Sequence, residues 1–131
     1  MSKSYGNTID IFLPDKELRK QVLSIVTDST PLEAPKNPET DNVYKIYSLI
    51  ADDDQRDAMQ KKYRAGNYGY GHAKQELFEL ITRKYARERE AFNYYLSNPE
   101  ELEKKLEQGE AKARVIANEV LARVRKKLGY R

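Results

Sequence analysis

The stretch HAKQELFELITRKYAREREAFNYYL, residues 72–96, decides the fold. Its apolar side chains return at steps of three and four residues, which is the spacing of one face of an α-helix. They are Leu77, Phe78, Ile81, Tyr85, Phe92 and Leu96. The pattern predicts one long helix over residues 72–96, about 37 Å long at a rise of about 1.5 Å per residue.

A second long helix is predicted after it, over residues 99–128. Ser97 or Asn98 is placed to cap this helix, and Pro99 suits its first turn. Its apolar and small residues form a heptad-like seam. The seam residues are Leu102, Leu106, Gly109, Ala113, Ile116, Val120 and Val124. The small side chains at its centre predict close approach of a neighbouring helix, so we expect the two C-terminal helices to pack antiparallel.

Shorter helices are predicted on the N-terminal side. The first covers residues 15–26, where apolar residues recur at helical spacing after Pro14. The prolines of residues 27–42 rule out a regular helix there. A short helix follows around residues 43–50, and another begins at Asp52-Asp53-Asp54 and ends at Gly66. The sequence therefore predicts an all-α fold, a helical bundle of about five helices.

Composition excludes several classes of protein. The chain has 131 residues, of which 39% are hydrophobic and 34% are charged, a balance that suits long helices with solvated faces. It has no cysteine, which excludes a disulfide framework and thiolate zinc sites. No apolar run is long enough to cross a membrane, and the first residues do not have the basic-then-apolar pattern expected of a secretory signal. These features fit the reducing cytoplasm.

Positive charge is concentrated in the second half of the chain. Residues 1–62 have 9 Lys/Arg and 11 Asp/Glu, a net charge of −2, whereas residues 63–131 have 15 and 10, a net charge of +5. The second half is therefore the better candidate for a surface that faces phosphates. The alternative is that these charges only solvate helices.

The aromatic residues are 10 tyrosines and 3 phenylalanines, without tryptophan. Five of the tyrosines lie at helical spacing with other apolar residues and are predicted to be core or half-core residues. These five are Tyr44, Tyr47, Tyr63, Tyr85 and Tyr95. Tyr68 and Tyr70 instead belong to the glycine loop, residues 66–71, where an exposed ring could stack on an unpaired base or the loop could simply turn the chain. His72 is the only histidine, and no metal site is predicted.

The chain begins Met1-Ser2-Lys3-Ser4, followed by Tyr-Gly-Asn-Thr-Ile. Four such residues alone are typical of a disordered terminus. In this context they resemble the KMSKS loop of class I aminoacyl-tRNA synthetases, whose first lysine would precede Met1. Further stretches resemble the tryptophanyl family in the same order. They are residues 26–30 (VTDST), 35–38 (PKNP), 42–47 (NVYKIY), 69–77 (GYGHAKQEL) and 109–117 (GEAKARVIA). Tyrosyl enzymes share the loop signature and remain an alternative.

The resemblance implies ATP-dependent activation of tryptophan and its transfer to tRNA. It assigns to Lys3 the catalytic role of stabilising charge on the departing pyrophosphate, and it places Ser2, Lys3 and Ser4 at the ATP. ATP with Mg²⁺ is implied for the full-length enzyme, and none is expected on this chain alone. Residues 1–14 would be the remnant of the catalytic loop with a linker, and residues 15–131 the helical anticodon-binding domain.

The resemblance also implies an upstream Rossmann domain that carries the active site. Without it, we expect the chain to be inactive. We expect the parent to be a cytoplasmic homodimer and the isolated chain to be a monomer.

The basic excess and the implied tRNA partner together predict an anticodon-facing surface. Its predicted residues are Arg64, Tyr68, Tyr70, Lys74, Arg83, Lys84, Arg87, Lys112 and Arg114. Two non-enzymatic alternatives remain open. One is a helical adaptor that pairs through the seam of residues 102–128, and the other is a free-standing helical module that binds RNA.

Overall fold

The computed structural model describes residues 3–130, with side chains from residue 4 onward. That part of the chain forms six α-helices and no strand, after a short 3-10 turn at Lys3–Tyr5. The helices are α1 Asp15–Leu23, α2 Asn42–Ile50, α3 Asp53–Ala65, α4 Tyr70–Lys84, α5 Ala86–Ser97 and α6 Pro99–Lys127. The predicted all-α class is confirmed. No helix in residues 3–130 combines the length and apolarity needed to cross a bilayer.

The long helix predicted over residues 72–96 is two helices, α4 and α5. They meet at Tyr85, whose backbone leaves the helical region at φ −103° and ψ 19°. The ring of Tyr85 packs against the core, and the preceding Lys84 donates to the carbonyl oxygen of Ile50. The break therefore lies where two neighbouring side chains are held by the rest of the fold, and the apolar periodicity alone does not indicate it.

The first helix ends at Leu23, three residues earlier than predicted. Ser24 Oγ donates to the carbonyl oxygen of Gln21 at 2.7 Å, and Lys74 Nζ donates to that of Leu23 at 2.9 Å. Carbonyl groups at a helix end need such partners. These two side chains satisfy the carbonyl oxygens of Gln21 and Leu23, so the helix need not continue.

The third helix has both ends that the sequence predicts. Asp52 Oδ1 accepts from the backbone N–H of Gln55 at 2.8 Å, and Gln55 Oε1 accepts from that of Asp52 at 3.1 Å. This reciprocal pair is a capping box. At the other end, Gly66 follows the helix with φ +77°, a conformation that favours glycine.

The chain divides into two compact units, and the first covers Met1–Arg89. In it α4 packs against both α1 and α2, and α2 also contacts α3. The core is made of buried apolar side chains from all four helices and from the glycine loop. They are Leu18, Val22, Val43, Tyr44, Tyr47, Met59, Tyr63, Tyr68, Ala73, Leu77, Leu80 and Ile81. The predicted core tyrosines are confirmed, with Tyr85 half-buried.

The second unit, Glu90–Arg131, contains the end of α5 and all of α6. The half-buried Tyr95 lies under the ammonium of Lys105, which is 5.7 Å from the ring centroid. No residue of α6 is buried, and a Cβ added at Gly109 would meet no atom within 4 Å. The predicted burial of the heptad-like seam therefore does not occur, and the antiparallel packing predicted for the C-terminal helices has no buried contact on α6.

Gly66→Ala should lower the free energy of unfolding by about 1–3 kcal/mol, because alanine is strained at positive φ. Its Cβ would also lie 2.5 Å from the carbonyl oxygen of Glu33. Gly71→Ala, on α4 with nothing within 4 Å of an added Cβ, is the control and should be neutral or slightly stabilising. Urea unfolding of both variants measures the difference. Equal stabilities would contradict this account of the turn.

Candidate nucleic-acid interface

Tyr68, in the glycine loop, is buried. Its hydroxyl donates to Glu76 Oε1 at 3.0 Å, and its ring lies 5.5 Å from that of Tyr63. Burial, together with the neighbouring carboxylate of Glu76, raises the pKa of the Tyr68 phenol. A ring in this position cannot stack on a base, so the exposed-ring interpretation of the loop is wrong for Tyr68.

Tyr70 is half-buried and joins the glycine loop to residues 28–36. Its hydroxyl donates to Asp28, and the Lys36 ammonium lies 5.3 Å from its ring centroid. Burial and the Asp28 hydrogen bond raise the pKa of Tyr70 to about 12, and the same bond lowers the pKa of Asp28. Tyr70 is therefore engaged within the chain at both its ring and its hydroxyl.

Lys36 is a buried cation that the sequence analysis did not single out. Its ammonium donates to the carbonyl oxygens of Pro31, Leu32 and Ala34 at 2.7, 3.3 and 3.2 Å. Its backbone N–H donates to the carbonyl oxygen of Tyr63 at 2.7 Å. An ammonium has three donors, and here all three are satisfied without a carboxylate. In the sequence it belongs to the stretch 35–38 (PKNP) that resembles the tryptophanyl family, and that stretch gives no hint of burial.

Two of the predicted tRNA-binding lysines act within the fold. Lys74 Nζ donates to the last carbonyl of α1 at Leu23, and Lys84 Nζ donates to the last carbonyl of α2 at Ile50. A cation at a helix C-terminus satisfies free carbonyls and opposes the negative end of the helix dipole. Both lysines of α4 thus hold the ends of the helices that pack on it, and they are less suited to phosphates than predicted.

Three predicted arginines in the first unit are available. Arg64, Arg83 and Arg87 are exposed, and none has a hydrogen bond or ion pair from its side chain to residues 4–130. Arg64 lies in the last turn of α3, before the glycine loop, whereas Arg83 lies in the last turn of α4. Lys74 and Arg83 are separated by about 13 Å along α4. The predicted residues therefore form two groups, near the two ends of that helix.

The remaining predicted residues are placed as follows. In the second unit Lys112 and Arg114 are exposed, and Arg114 pairs with Glu110 one turn earlier. Ser2 and the side chain of Lys3 lie outside the described residues, and Ser4 is exposed. No group of three or more histidine or acidic residues in the described part of the chain is arranged to hold a metal ion. Asp52, from the acidic run, is instead the cap of α3.

Lys74→Met should lower the free energy of unfolding by about 1–2 kcal/mol, because it leaves the Leu23 carbonyl without its charged donor. Lys16→Met is the matched control, since Lys16 is exposed on α1 and its change should stay within about 0.5 kcal/mol. Thermal or urea unfolding tests the pair. Equal effects would show that the Lys74 bond does not stabilise the end of α1.

Comparison with known proteins shows what this fold is similar to. No family model matches the chain. Tryptophan–tRNA ligase of Campylobacter jejuni is 46% identical over 129 residues, which are 98% of this chain and 40% of that protein. The ligase of Fusobacterium nucleatum is 45% identical over 98% of this chain and 39% of its own length. That of Rhodopirellula baltica is 38% identical over the whole chain and 41% of its own length.

Solved structures agree with the sequence comparison. The crystal structure of tryptophanyl-tRNA synthetase from Campylobacter jejuni superposes with a TM-score of 0.93 at 46% identity, over 98% of this chain and 42% of that one. A second structure of that enzyme, complexed with ADP and tryptophan, gives the same TM-score over 98% of this chain and 40% of its own. The chain thus spans about 40% of the length of these relatives. By sequence and by fold, it belongs to the tryptophanyl-tRNA synthetase family.

Proposed function

We propose that this chain is the tRNA-binding helical part of a tryptophan–tRNA ligase, which in its whole form activates tryptophan with ATP and transfers it to tRNA. The observation that carries the proposal is 46% identity over 98% of the chain, with a TM-score of 0.93 to a synthetase also solved with ADP and tryptophan. At this identity the likeness extends beyond the fold to the side chains.

The catalytic contribution of this chain is proposed for its first residues. Lys3 would stabilise charge on the departing pyrophosphate, with Ser2 and Ser4 beside the triphosphate. ATP is a substrate here, and Mg²⁺ would accompany its phosphates. The described residues supply no carboxylate cluster for an ion. The chain by itself is proposed to be inactive, because the tryptophan pocket and the nucleotide-binding domain belong to other parts of the ligase.

The assembly is also part of the proposal. The parent would be a cytoplasmic homodimer with a Rossmann domain, and the isolated chain a monomer. The helical adaptor alternative is favoured by one observation, the exposed seam of α6, where Leu106 and Ile116 are 64% and 66% exposed. A chain that spans about 40% of its relatives would expose such a face equally if the rest of the ligase covers it. The family relationship therefore favours the ligase.

The tRNA surface is proposed to use the available arginines. Arg83 and Arg87 are exposed, unpaired within residues 4–130, and lie four residues apart around the α4–α5 break. Arginine forks suit phosphate oxygens. Lys112 and Arg114 in the second unit remain weaker candidates, since Arg114 already pairs with Glu110.

Binding of a fluorescent tryptophan tRNA to the 131-residue chain, measured by anisotropy between 50 and 200 mM salt, tests the proposal. The double variant Arg83→Gln/Arg87→Gln should weaken binding and reduce the slope of log affinity against log salt by about 1.4–1.8, since each phosphate contact contributes about 0.7–0.9. Lys16→Gln/Arg19→Gln, on the exposed side of α1, is the charge-matched control and should leave the slope unchanged.

Absence of tRNA binding by the unsubstituted 131-residue chain at every salt concentration would contradict the proposed function. If the unsubstituted chain binds tRNA and the double variant of Arg83 and Arg87 has the same salt slope, only the assignment of these two arginines is contradicted.

A further inference from the structure

Residues 9–13, here called the stem, connect the first residues of the chain, where the catalytic role is proposed, to α1. The stem forms neither a helix nor a strand, and its three aliphatic side chains are half-buried against the core. Only residues 6–8 lie between the stem and the turn at Lys3–Tyr5. Three residues span at most about 11 Å. The position of the stem therefore limits where the loop that carries Lys3 can lie.

The backbone of the stem is held by side chains of two helices. The stem turns at Asp10, whose carboxylate accepts from the N–H of Phe12 at 3.0 Å. From α1, Gln21 Oε1 accepts from the N–H of Asp10 at 2.8 Å, and from α5, Arg89 donates to the carbonyl oxygen of Ile11 at 2.5 Å. Backbone groups outside helices and strands need such partners, so these two side chains decide where the stem lies.

Arg89 holds the chain at two points. Besides the carbonyl oxygen of Ile11, its guanidinium donates to Asp15 Oδ1 at 2.5 Å, and Asp15 is the first residue of α1. The side chain of Arg89 is only 16% exposed, although the Asp15 side chain is 72% exposed. A guanidinium carries five donors in a rigid fork, so it fixes two acceptors relative to each other. Arg89 thereby sets the position of the stem relative to the start of α1.

The break between α4 and α5 places Arg89 beside the stem. At the break, the ring of Tyr85 packs against the core, and its carbonyl oxygen accepts from the backbone N–H of Arg89 at 2.9 Å. Arg83 and Arg87, on either side of the break, are exposed, whereas Arg89 is half-buried and bonds to a residue 78 positions away. The three arginines therefore differ in what they can do: two face solvent, and Arg89 faces the stem.

We propose that Arg89 and Gln21 are positioning residues for the ligase reaction, which fix the stem and so hold the catalytic loop where Lys3 stabilises the departing pyrophosphate. The proposal rests on the proposed function and adds to it two residues that act through Lys3 and not on the substrates themselves. A misplacement of about 1 Å at a catalytic group can cost about 100-fold in rate. Release of the stem would allow a misplacement of this kind.

The test is single-turnover activation of tryptophan by the whole ligase that contains this chain. Arg89→Gln removes the fork, and Gln21→Met removes the acceptor for the stem N–H with a side chain of similar length. Each should slow activation about 10-fold or more, because the loop is misplaced. Equilibrium binding of tryptophan should be unchanged. In the Lys3→Ala background the same changes should slow activation less than about twofold, because residues that act as a unit are not additive.

Lys62→Gln is the matched control. It removes an ion pair between helices of the first unit, in which Lys62 Nζ lies 2.7 Å from Glu76 Oε1, without touching the stem. An exposed pair contributes little, so this variant should stay within about twofold of the unsubstituted rate with or without Lys3. Thermal unfolding identifies the variants that are folded at the assay temperature. If Arg89→Gln is not folded, Gln21→Met decides.

Three results would overturn the proposal, and they differ in what else they overturn. An unchanged rate in either folded variant, or a loss of equal factor with and without Lys3, would overturn the positioning role and leave the proposed function intact. Equal rates for Lys3→Ala and the unsubstituted ligase would overturn it together with the role of Lys3. Absence of tryptophan activation by the unsubstituted ligase would overturn both the positioning role and the proposed function.

Discussion

The packing of the first unit depends on the contacts made by the buried side chain of Tyr63. Tyr63 is 0% exposed, and its hydroxyl donates to Asp41 Oδ1 at 2.8 Å, the same oxygen that accepts from the first-turn N–H of Tyr44. Its ring meets those of Tyr44, Tyr68 and Tyr70, and its carbonyl oxygen holds Lys36. One residue of α3 therefore fixes the start of α2, the segment before it and the glycine loop. Buried polar groups must be satisfied, so these elements are positioned together.

Two sets of cations in the first unit differ in what their side chains contact. Lys36, Lys74 and Lys84 donate to backbone carbonyls and hold loops or helix ends in place. Arg64 and Arg83 instead project from helix ends without a partner within residues 4–130. Lysine is a compact, mobile point charge suited to carbonyls, whereas arginine offers a fork suited to phosphates and base edges. The proposed RNA contacts use the second set.

The sequence predicted features that depend on local spacing. It gave the all-α class, the capping of α3 by Asp52, the turn at Gly66 and the burial of the periodic tyrosines, because each depends on a few adjacent residues. It missed the burial of Lys36, because its ammonium is held by carbonyls of an irregular segment, which has no periodic pattern to read. It also did not predict the break at Tyr85, where Lys84 contacts a residue distant in sequence. Lys74 was assigned to tRNA for the same reason: its partner, Leu23, is 51 positions away. The seam of α6 has a clear heptad-like apolar repeat but is exposed, because such a repeat does not identify the surface that packs against it.

The pH dependence of stability tests the role of Tyr63 most directly. Burial first, and then the hydrogen bond to Asp41, raises the pKa of its phenol. Above about pH 10 the unfolded chain loses that proton and the folded chain keeps it, so stability falls by about 1.4 kcal/mol per pH unit for this group. Urea unfolding should show that Tyr63→Phe is about 1–2 kcal/mol less stable than the unsubstituted chain at pH 8. Above pH 10 the free energy of unfolding of this variant should fall less steeply with pH. Tyr130→Phe, which removes an exposed phenol, should have the same stability as the unsubstituted chain at each pH. Equal stability at pH 8 and parallel curves above pH 10 would contradict the account.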